Sequence, residues 1–93
     1  MTNWQGARIN AIALYEAGLD EADIARQTGH AQVSTGQYIH GYERVKLLLA
    51  HQTPAERIPQ LIGMQPNVAK AYVGLVYQYH PDLMPEKMSP QQT

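Results

Sequence analysis

Residues 20–49 contain the pattern from which the fold can be predicted; they read DEADIARQTG at 20–29, HAQVSTGQYI at 30–39 and HGYERVKLLL at 40–49. Asp20 suits a helix N-cap, because its side chain can accept a hydrogen bond from a free N–H group of the first turn. Gly29 suits the left-handed residue that ends a helix. A longer helix then shows an apolar or aromatic stripe at Thr35, Tyr38, Ile39, Tyr42, Val45 and Leu49. The sequence therefore predicts a short helix, a tight turn and a long helix, which is a helix-turn-helix.

The residues around this turn resemble those of resolvase- and invertase-type DNA-binding domains. Ala25, a small residue, lies four positions before Gly29, where two helices must cross closely. Residues 24–39 are also similar to an uncharacterised prokaryotic family of unknown function, whose pattern is Ile-Ala-x-x-Thr-Gly-His-Ser-x-x-Ala-Val-x-x-Tyr-Ile. Ala31 and Thr35 are among the positions at which they depart from that pattern. The resemblance implies a helix-turn-helix fold and DNA binding.

Length and composition restrict the classes of protein. The 93 residues are enough for one small domain or two very small units, and without cysteine a disulfide or thiolate metal site is excluded. The net charge of −1 argues against strong non-specific binding of nucleic acid, although Glu43 is the only acid between Gly29 and Ala50. The apolar runs are too short to cross a membrane and no signal peptide is recognisable, so we expect a cytoplasmic protein without a membrane partner.

Capping residues and glycines bracket five predicted helices, at 4–17, 20–28, 31–50, 54–62 and 66–79. Thr2 or Asn3 can cap the first helix, whose candidate core residues are Trp4, Ile9, Ile12, Ala13 and Leu14. The segment from Thr53 to Glu56 has the pattern of a capping box, with Pro54 at the first helical position. Pro59 follows within the same helix, so we expect a kink or a restart there.

The second half of the chain repeats the logic of the first. When Gly63 is aligned with Gly29, Ala69 falls on Thr35, Tyr72 on Tyr38 and Val73 on Ile39, whereas Pro59 falls on Ala25. The predicted stripe of the last helix is Val68, Tyr72, Val73, Leu75, Val76 and Tyr79. We therefore predict an all-α protein of two tandem helix-turn-helix units, 1–50 and a degenerate 51–80, followed by a flexible tail at 81–93.

Candidate DNA-binding residues lie on the side of the second motif helix opposite its apolar stripe. In such a motif this helix enters the major groove, where Gln can pair with adenine and an apolar side chain can contact a thymine methyl group. The candidates for base contact are Gln32, Val33, Gly36, Gln37 and His40, and in the second unit Gln65, Asn67 and Lys70. The phosphate candidates are Arg8, Arg26, Arg44 and Lys46. Gly36 would allow close approach either of DNA or of another helix.

Other classes of function have weaker support. His30, His40, His51 and His80 do not have the spacing of a metal site, and no nucleophile, base or phosphate loop is recognisable, so we predict no enzyme, cofactor or small-molecule substrate. The expected partners are double-stranded DNA and a second copy of the chain in a homodimer. Two alternatives remain open: a helical protein-interaction module that has lost DNA binding, and a dimeric DNA-binding protein whose second unit serves only for dimerisation. Each polar candidate could also belong to an ordinary solvated face.

Overall fold

The computed structural model describes residues 4–85, with side chains described from Gly6 onward. Five α-helices lie in this part of the chain: α1 (Trp4–Glu16), α2 (Glu21–Thr28), α3 (Gln32–Ala50), α4 (Ile58–Ile62) and α5 (Pro66–Tyr79). Residues 4–85 contain no strand, so the all-α prediction is confirmed, and each predicted helix end lies within one residue of an observed helical boundary. The predicted caps Thr2 and Asn3 and the side chain of Trp4 lie outside the described residues.

Two compact units divide between Tyr42 and Glu43, which is a point inside α3. The sequence placed the boundary between residues 50 and 51. Residues 43–50, which were predicted to belong to the first unit, pack instead with the second. Helix α3 is thus the third helix of one unit and the first helix of the next.

The core of the first unit takes one residue from each of its helices: Ala11 from α1, Ile24 from α2 and Ile39 from α3. Leu14, Tyr15, Leu19 and Tyr38 pack around these three. The fully buried Tyr42 donates its hydroxyl hydrogen to the carboxylate of Glu16, and its ring meets that of Tyr15 edge-on with centroids 6.1 Å apart. These contacts connect α3 to the C-terminal turn of α1.

Helix α1 buries part of the predicted face, because Ile12 is fully buried and Leu14 packs against the core of the first unit, both as predicted. Ala7, Ala11 and Ile12 are buried, whereas Ile9 is 46% exposed. The prediction for Ile9 was wrong, because the hydrophobicity of one residue does not show which side of the helix its neighbours cover. Ala13 and Leu14 are half-buried.

The second unit buries Val45 and Leu49 of α3, Ile58 of α4, and a stripe of α5 comprising Ala69, Tyr72, Val73, Leu75 and Val76. The predicted interruption at Pro59 is confirmed, because a 3₁₀ helix over Ala55–Arg57 precedes α4 and Pro59 falls in the first turn of α4. At that position the missing N–H group has no intrahelical partner to lose. The predicted capping box is wrong, since Pro54 is the N-cap and no side chain caps this end.

The two units are structural repeats of each other with an offset of 34 residues. Gly29 and Gly63 both have left-handed backbones, with φ of 75° and 63°, and their N–H groups donate to the carbonyls of Ala25 and Pro59. Gly18 and Gln52 also share positive φ, at 106° and 64°. Leu19 donates to the Leu14 carbonyl at 3.1 Å, and Thr53 donates to that of Leu48 at 3.0 Å.

Burial follows the same offset. Ile24 and Ile58 are both fully buried, as are Tyr42 and Val76. The aligned pair Thr35 and Ala69 is 0% and 1% exposed, and the pair Ile39 and Val73 is 7% and 9% exposed. The alignment also places α1 on residues 38–50, which explains why the C-terminal part of α3 belongs to the second unit. The tandem organisation is therefore present in backbone geometry as well as in sequence.

The predicted tail begins with ordered residues. Pro81–Leu83 form a 3₁₀ helix in which the Leu83 N–H group donates to the His80 carbonyl at 3.0 Å, and residues 83–85 are half-buried. The remaining residues of that prediction, 86–93, lie outside the described part. Within residues 4–85, no helix has the length and apolar character required to span a membrane.

Candidate nucleic-acid interface

The N-terminal half of α3 presents an exposed polar face on the side opposite its core contacts. Gln32, Val33, Gln37 and His40 are all exposed, and Val33 is the most exposed large apolar residue of the described chain, at 73%. On the other side of the helix, Thr35, Ile39 and Tyr42 are buried. The structure therefore brings four of the five base-contacting residues predicted for the first unit together on one accessible surface.

Local hydrogen bonds hold the helix that supports this surface. The Asp20 carboxylate caps α2 by accepting a hydrogen bond from the Asp23 N–H group at 2.8 Å. At the other end, the Thr28 hydroxyl donates to the Ile24 carbonyl at 2.8 Å and accepts a hydrogen bond from the His30 N–H group at 3.4 Å. Together with the left-handed backbone of Gly29, these bonds fix the turn between α2 and α3. This turn fixes the orientation of α3 relative to α2.

Gly36 faces α2 and is buried, unlike the other predicted base-contacting residues. A Cβ atom at this position would lie 2.9 Å from Oε2 of Glu21 and 3.1 Å from its Cδ. The sequence left two reasons for this glycine, the approach of DNA or the approach of another helix. The structure provides the second reason, because the side chain of Glu21 occupies the space above Gly36.

The positively charged residues differ in their availability to a phosphate. Arg44 is exposed on α3. Arg26 forms an ion pair with Asp23, and Lys46 Nζ lies 3.4 Å from Glu43 Oε2. Both pairs are partly solvated and join residues three apart, so little free energy holds them together and either cation can exchange its partner for a phosphate. Arg8 is only 4% exposed, and its prediction as a phosphate contact is wrong because its side chain lies in the interior.

The equivalent surface of the second unit carries fewer distinctive side chains. Gln65, Asn67 and Lys70 are exposed around the first turns of α5, where Gln65 is the N-cap residue. The repeat places Lys70 on Gly36 and Ala55 on Glu21. In the first unit the large residue, Glu21, lies on α2 and the glycine, Gly36, lies on α3. In the second unit the small residue, Ala55, precedes α4 and the large residue, Lys70, lies on α5.

A cleft of about 680 Å³ in the second unit was not predicted from the sequence. Its lining includes Leu49, Thr53, Glu56, Tyr77 and Leu83. The Tyr77 hydroxyl is buried without a hydrogen-bond partner among the described residues. Burial raises the pKa of Tyr77, and the negative charge of Glu56 raises it further. Little in the sequence pointed to this cleft, since Tyr77 lies off the apolar stripe of α5.

No three His, Asp or Glu side chains in the described chain come together as a possible metal site.

Comparison with known proteins provides a family and no function. No match was found among curated proteins or among solved structures. The resemblance to resolvase- and invertase-type domains therefore stays a prediction. A family model described as a protein of unknown function, DUF1670, matches residues 7–75, which include α2, α3, α4 and most of α1 and α5. Because the match spans most of the chain and both repeats, the protein belongs to the DUF1670 family.

Proposed function

We propose that the protein binds double-stranded DNA in a sequence-specific manner and acts as a small transcriptional regulator or as an accessory factor of a mobile element. The N-terminal half of α3 lies in the major groove in this proposal, with α2 crossing the backbone beside it. The observation that carries the proposal is the exposed face of Gln32, Val33, Gln37 and His40, held by a capped α2 and a fixed turn. The role as an accessory factor of a mobile element rests on the family resemblance alone.

The side chains on this face suit base readout. Gln32 and Gln37 each offer an amide that can donate to and accept from one adenine edge. Val33 is costly to leave in water and has no packing role in the described fold, so contact with a thymine methyl group would bury it. Such contacts read sequence, whereas phosphate contacts only position the protein.

The charge balance predicts modest affinity with a shallow salt dependence. Arg44 is the exposed cation on the motif helix, and Arg26 and Lys46 must give up surface ion pairs to bind phosphate. Each phosphate contact contributes about 0.9 to the slope of log K against log salt. A second copy would double the number of contacts without adding charge to one chain, so the proposal includes a homodimer.

The test is binding of the purified protein to a pool of random duplex DNA at low and at physiological salt, followed by sequencing of the bound fraction. Gln37→Ala should lose roughly 1–3 kcal/mol of discrimination at one base pair, and Arg44→Ala should weaken binding to all duplexes and reduce the salt slope by about 1. If both variants bind every duplex as the wild type does, α3 is not the recognition helix.

A comparison of the two units provides the matched control. Gln32→Ala with Gln37→Ala changes the exposed face of α3, and Asn67→Ala with Lys70→Ala changes the corresponding part of α5. We expect the first pair to remove most DNA affinity and the second pair to retain it. The opposite result would assign DNA binding to the second unit.

One observation favours a second candidate function, a helical protein-interaction module that has lost DNA binding. Leu47 and Leu61 in the second unit are 58% and 56% exposed, which is unusual for residues of this size. The binding assay with random duplex DNA distinguishes the two functions, because a protein-interaction module would not bind the duplex even at low salt.

A further inference from the structure

The groove between the first two helices of a unit differs in chemistry between the repeats. In the first unit this groove is mainly polar, and its lining is Asn10, Ala13, Leu14, Gln27, Thr28 and His30. The offset of 34 residues places Arg44, Leu47, Leu48, Leu61, Ile62 and Met64 at the corresponding positions of the second unit. Leu47, Leu48, Leu61, Ile62 and Met64 are here called the leucine patch.

The fold does not require this patch to be apolar. Both units share their turn geometry, their backbone hydrogen bonds and the burial of their core residues, yet Gln27 is exposed where the second unit has Leu61. Leu47 and Leu61 remain more than half exposed, so they contribute little to the core beneath them. Large apolar side chains on an otherwise polar position indicate a contact surface.

The charges at the edges of the leucine patch fit a second copy of the same chain. Glu43 lies one turn before Leu47 on α3, and Arg57 lies one residue before α4, four positions before Leu61. In a two-fold dimer the same patch of both copies forms the contact, so a residue i of one copy meets a residue j of the other and the reverse. Such a contact is favoured when residues i and j carry opposite charges. When α3 of one copy lies over α4 of its partner, Glu43 faces the partner's Arg57 on both sides of the axis.

We propose that the leucine patch is the homodimer interface, with α3 of each copy packed on α4 of its partner. This assignment rests on the homodimer included in the proposed function and identifies its surface. Leu47 and Leu61 form the apolar centre of the contact, and Glu43 and Arg57 form ion pairs between copies at its rim. The Lys46 ammonium of the same copy lies 3.4 Å from the Glu43 carboxylate, so in this contact Glu43 is shared between Lys46 and the partner's Arg57.

The test is sedimentation equilibrium of the full chain without DNA over a wide range of concentration. The wild type should be a dimer, and Leu47→Glu and Leu61→Glu should each raise the dimer dissociation constant at least about tenfold, as expected for central residues of an interface. Gln27→Glu, which changes the position equivalent to Leu61 in the first unit, should leave the dissociation constant unchanged. Circular dichroism of each variant verifies that the helices are retained.

A charge exchange tests the proposed orientation of the two copies. Glu43→Arg and Arg57→Glu should each weaken the dimer, and the double variant should recover most of the loss because the ion pair is restored with its charges reversed. A monomeric wild type, or a dimer unaffected by the leucine variants, would overturn the assignment. A double variant weaker than both single variants would overturn the packing of α3 on α4.

DNA binding distinguishes failure of this inference from failure of the proposed function. A monomer that binds duplex DNA through Gln37 would disprove the interface and support the function. A dimer that dissociates with Leu47→Glu but binds no duplex at low salt would support the interface and disprove the function.

Discussion

The substitution Gly36→Ala measures the contact between α3 and α2 that the structure assigns to this glycine. Alanine in a helix interior is more favourable than glycine by about 1 kcal/mol. The added methyl group would lie 2.9 Å from Oε2, 3.1 Å from Cδ and 3.2 Å from Oε1 of Glu21, so that carboxylate has to move. All three atoms belong to the end of a flexible side chain, which has no hydrogen bond or ion pair among the described residues.

Movement of Glu21 has a limited cost. Its carboxylate lies in the first turn of α2, where a negative charge stabilises the helix by about 0.3–1 kcal/mol. If half of that interaction and some rotamer freedom are lost, Gly36→Ala should still raise the free energy of unfolding by about 0.5 kcal/mol. For a chain of this length such a gain raises Tm by about 2–4 °C.

Gly74→Ala is the matched control. Gly74 also lies within a helix, is exposed, and has no atom within 4 Å of the position of an added Cβ. Its substitution should therefore give the full gain of about 1 kcal/mol. Combining Gly36→Ala with Glu21→Ala removes the obstruction, so the effect of Gly36→Ala in the Glu21→Ala background should rise to that of Gly74→Ala.

The assay is urea unfolding followed by far-UV circular dichroism, with the coupling free energy taken from the double-mutant cycle. Affinity for duplex DNA should not change, because Gly36 faces α2. A loss of more than about 1 kcal/mol would show that Glu21 cannot move and that the helices must separate. Equal effects of Gly36→Ala in both backgrounds would show that the two residues do not contact each other.

Two further predictions concern buried hydroxyl groups. Thr35→Val should stabilise the protein by about 1 kcal/mol in urea unfolding, because the fully buried Thr35 hydroxyl has no hydrogen-bond partner among the described residues. Tyr42→Phe is its control and should destabilise, since the Tyr42 hydroxyl donates to Glu16; stabilisation by both or by neither would contradict the reasoning. The raised pKa of Tyr77 means that the folded chain favours the neutral phenol, so its contribution to stability is complete below about pH 10 and is lost as pH rises through the higher folded value. Tyr77→Phe should show a smaller loss of Tm above pH 10 than the wild type, and identical alkaline profiles would refute the assignment.

The sequence alone predicted most of the helix boundaries of the described residues, although not the cap at Pro54. Asp20 acts through a hydrogen bond from its side chain to the first turn, and Gly29 and Gly63 act through their left-handed backbones, so all three predict where helices begin and end without knowledge of the fold. The helical stripe from Thr35 to Leu49 predicted the buried face of α3 because large apolar residues recur at the helical period. The alignment of Gly63 with Gly29 likewise depended only on local chemistry, and the matching backbone conformations of the two turns follow from it.

Tertiary structure decided how these elements are used. The sequence pattern alone could not show that residues 43–50 pack with the second unit. The helical period of α3 is continuous, so it does not indicate where the helix stops packing with the first unit. Nor could the sequence pattern show that Arg8 is buried, that Ile9 is exposed, or that Gly36 accommodates Glu21, since each depends on which helix lies opposite. The contrast between Gln27 and Leu61 acquires meaning only when the repeats are aligned in three dimensions, because burial and exposure are properties of neighbours that are distant in the chain.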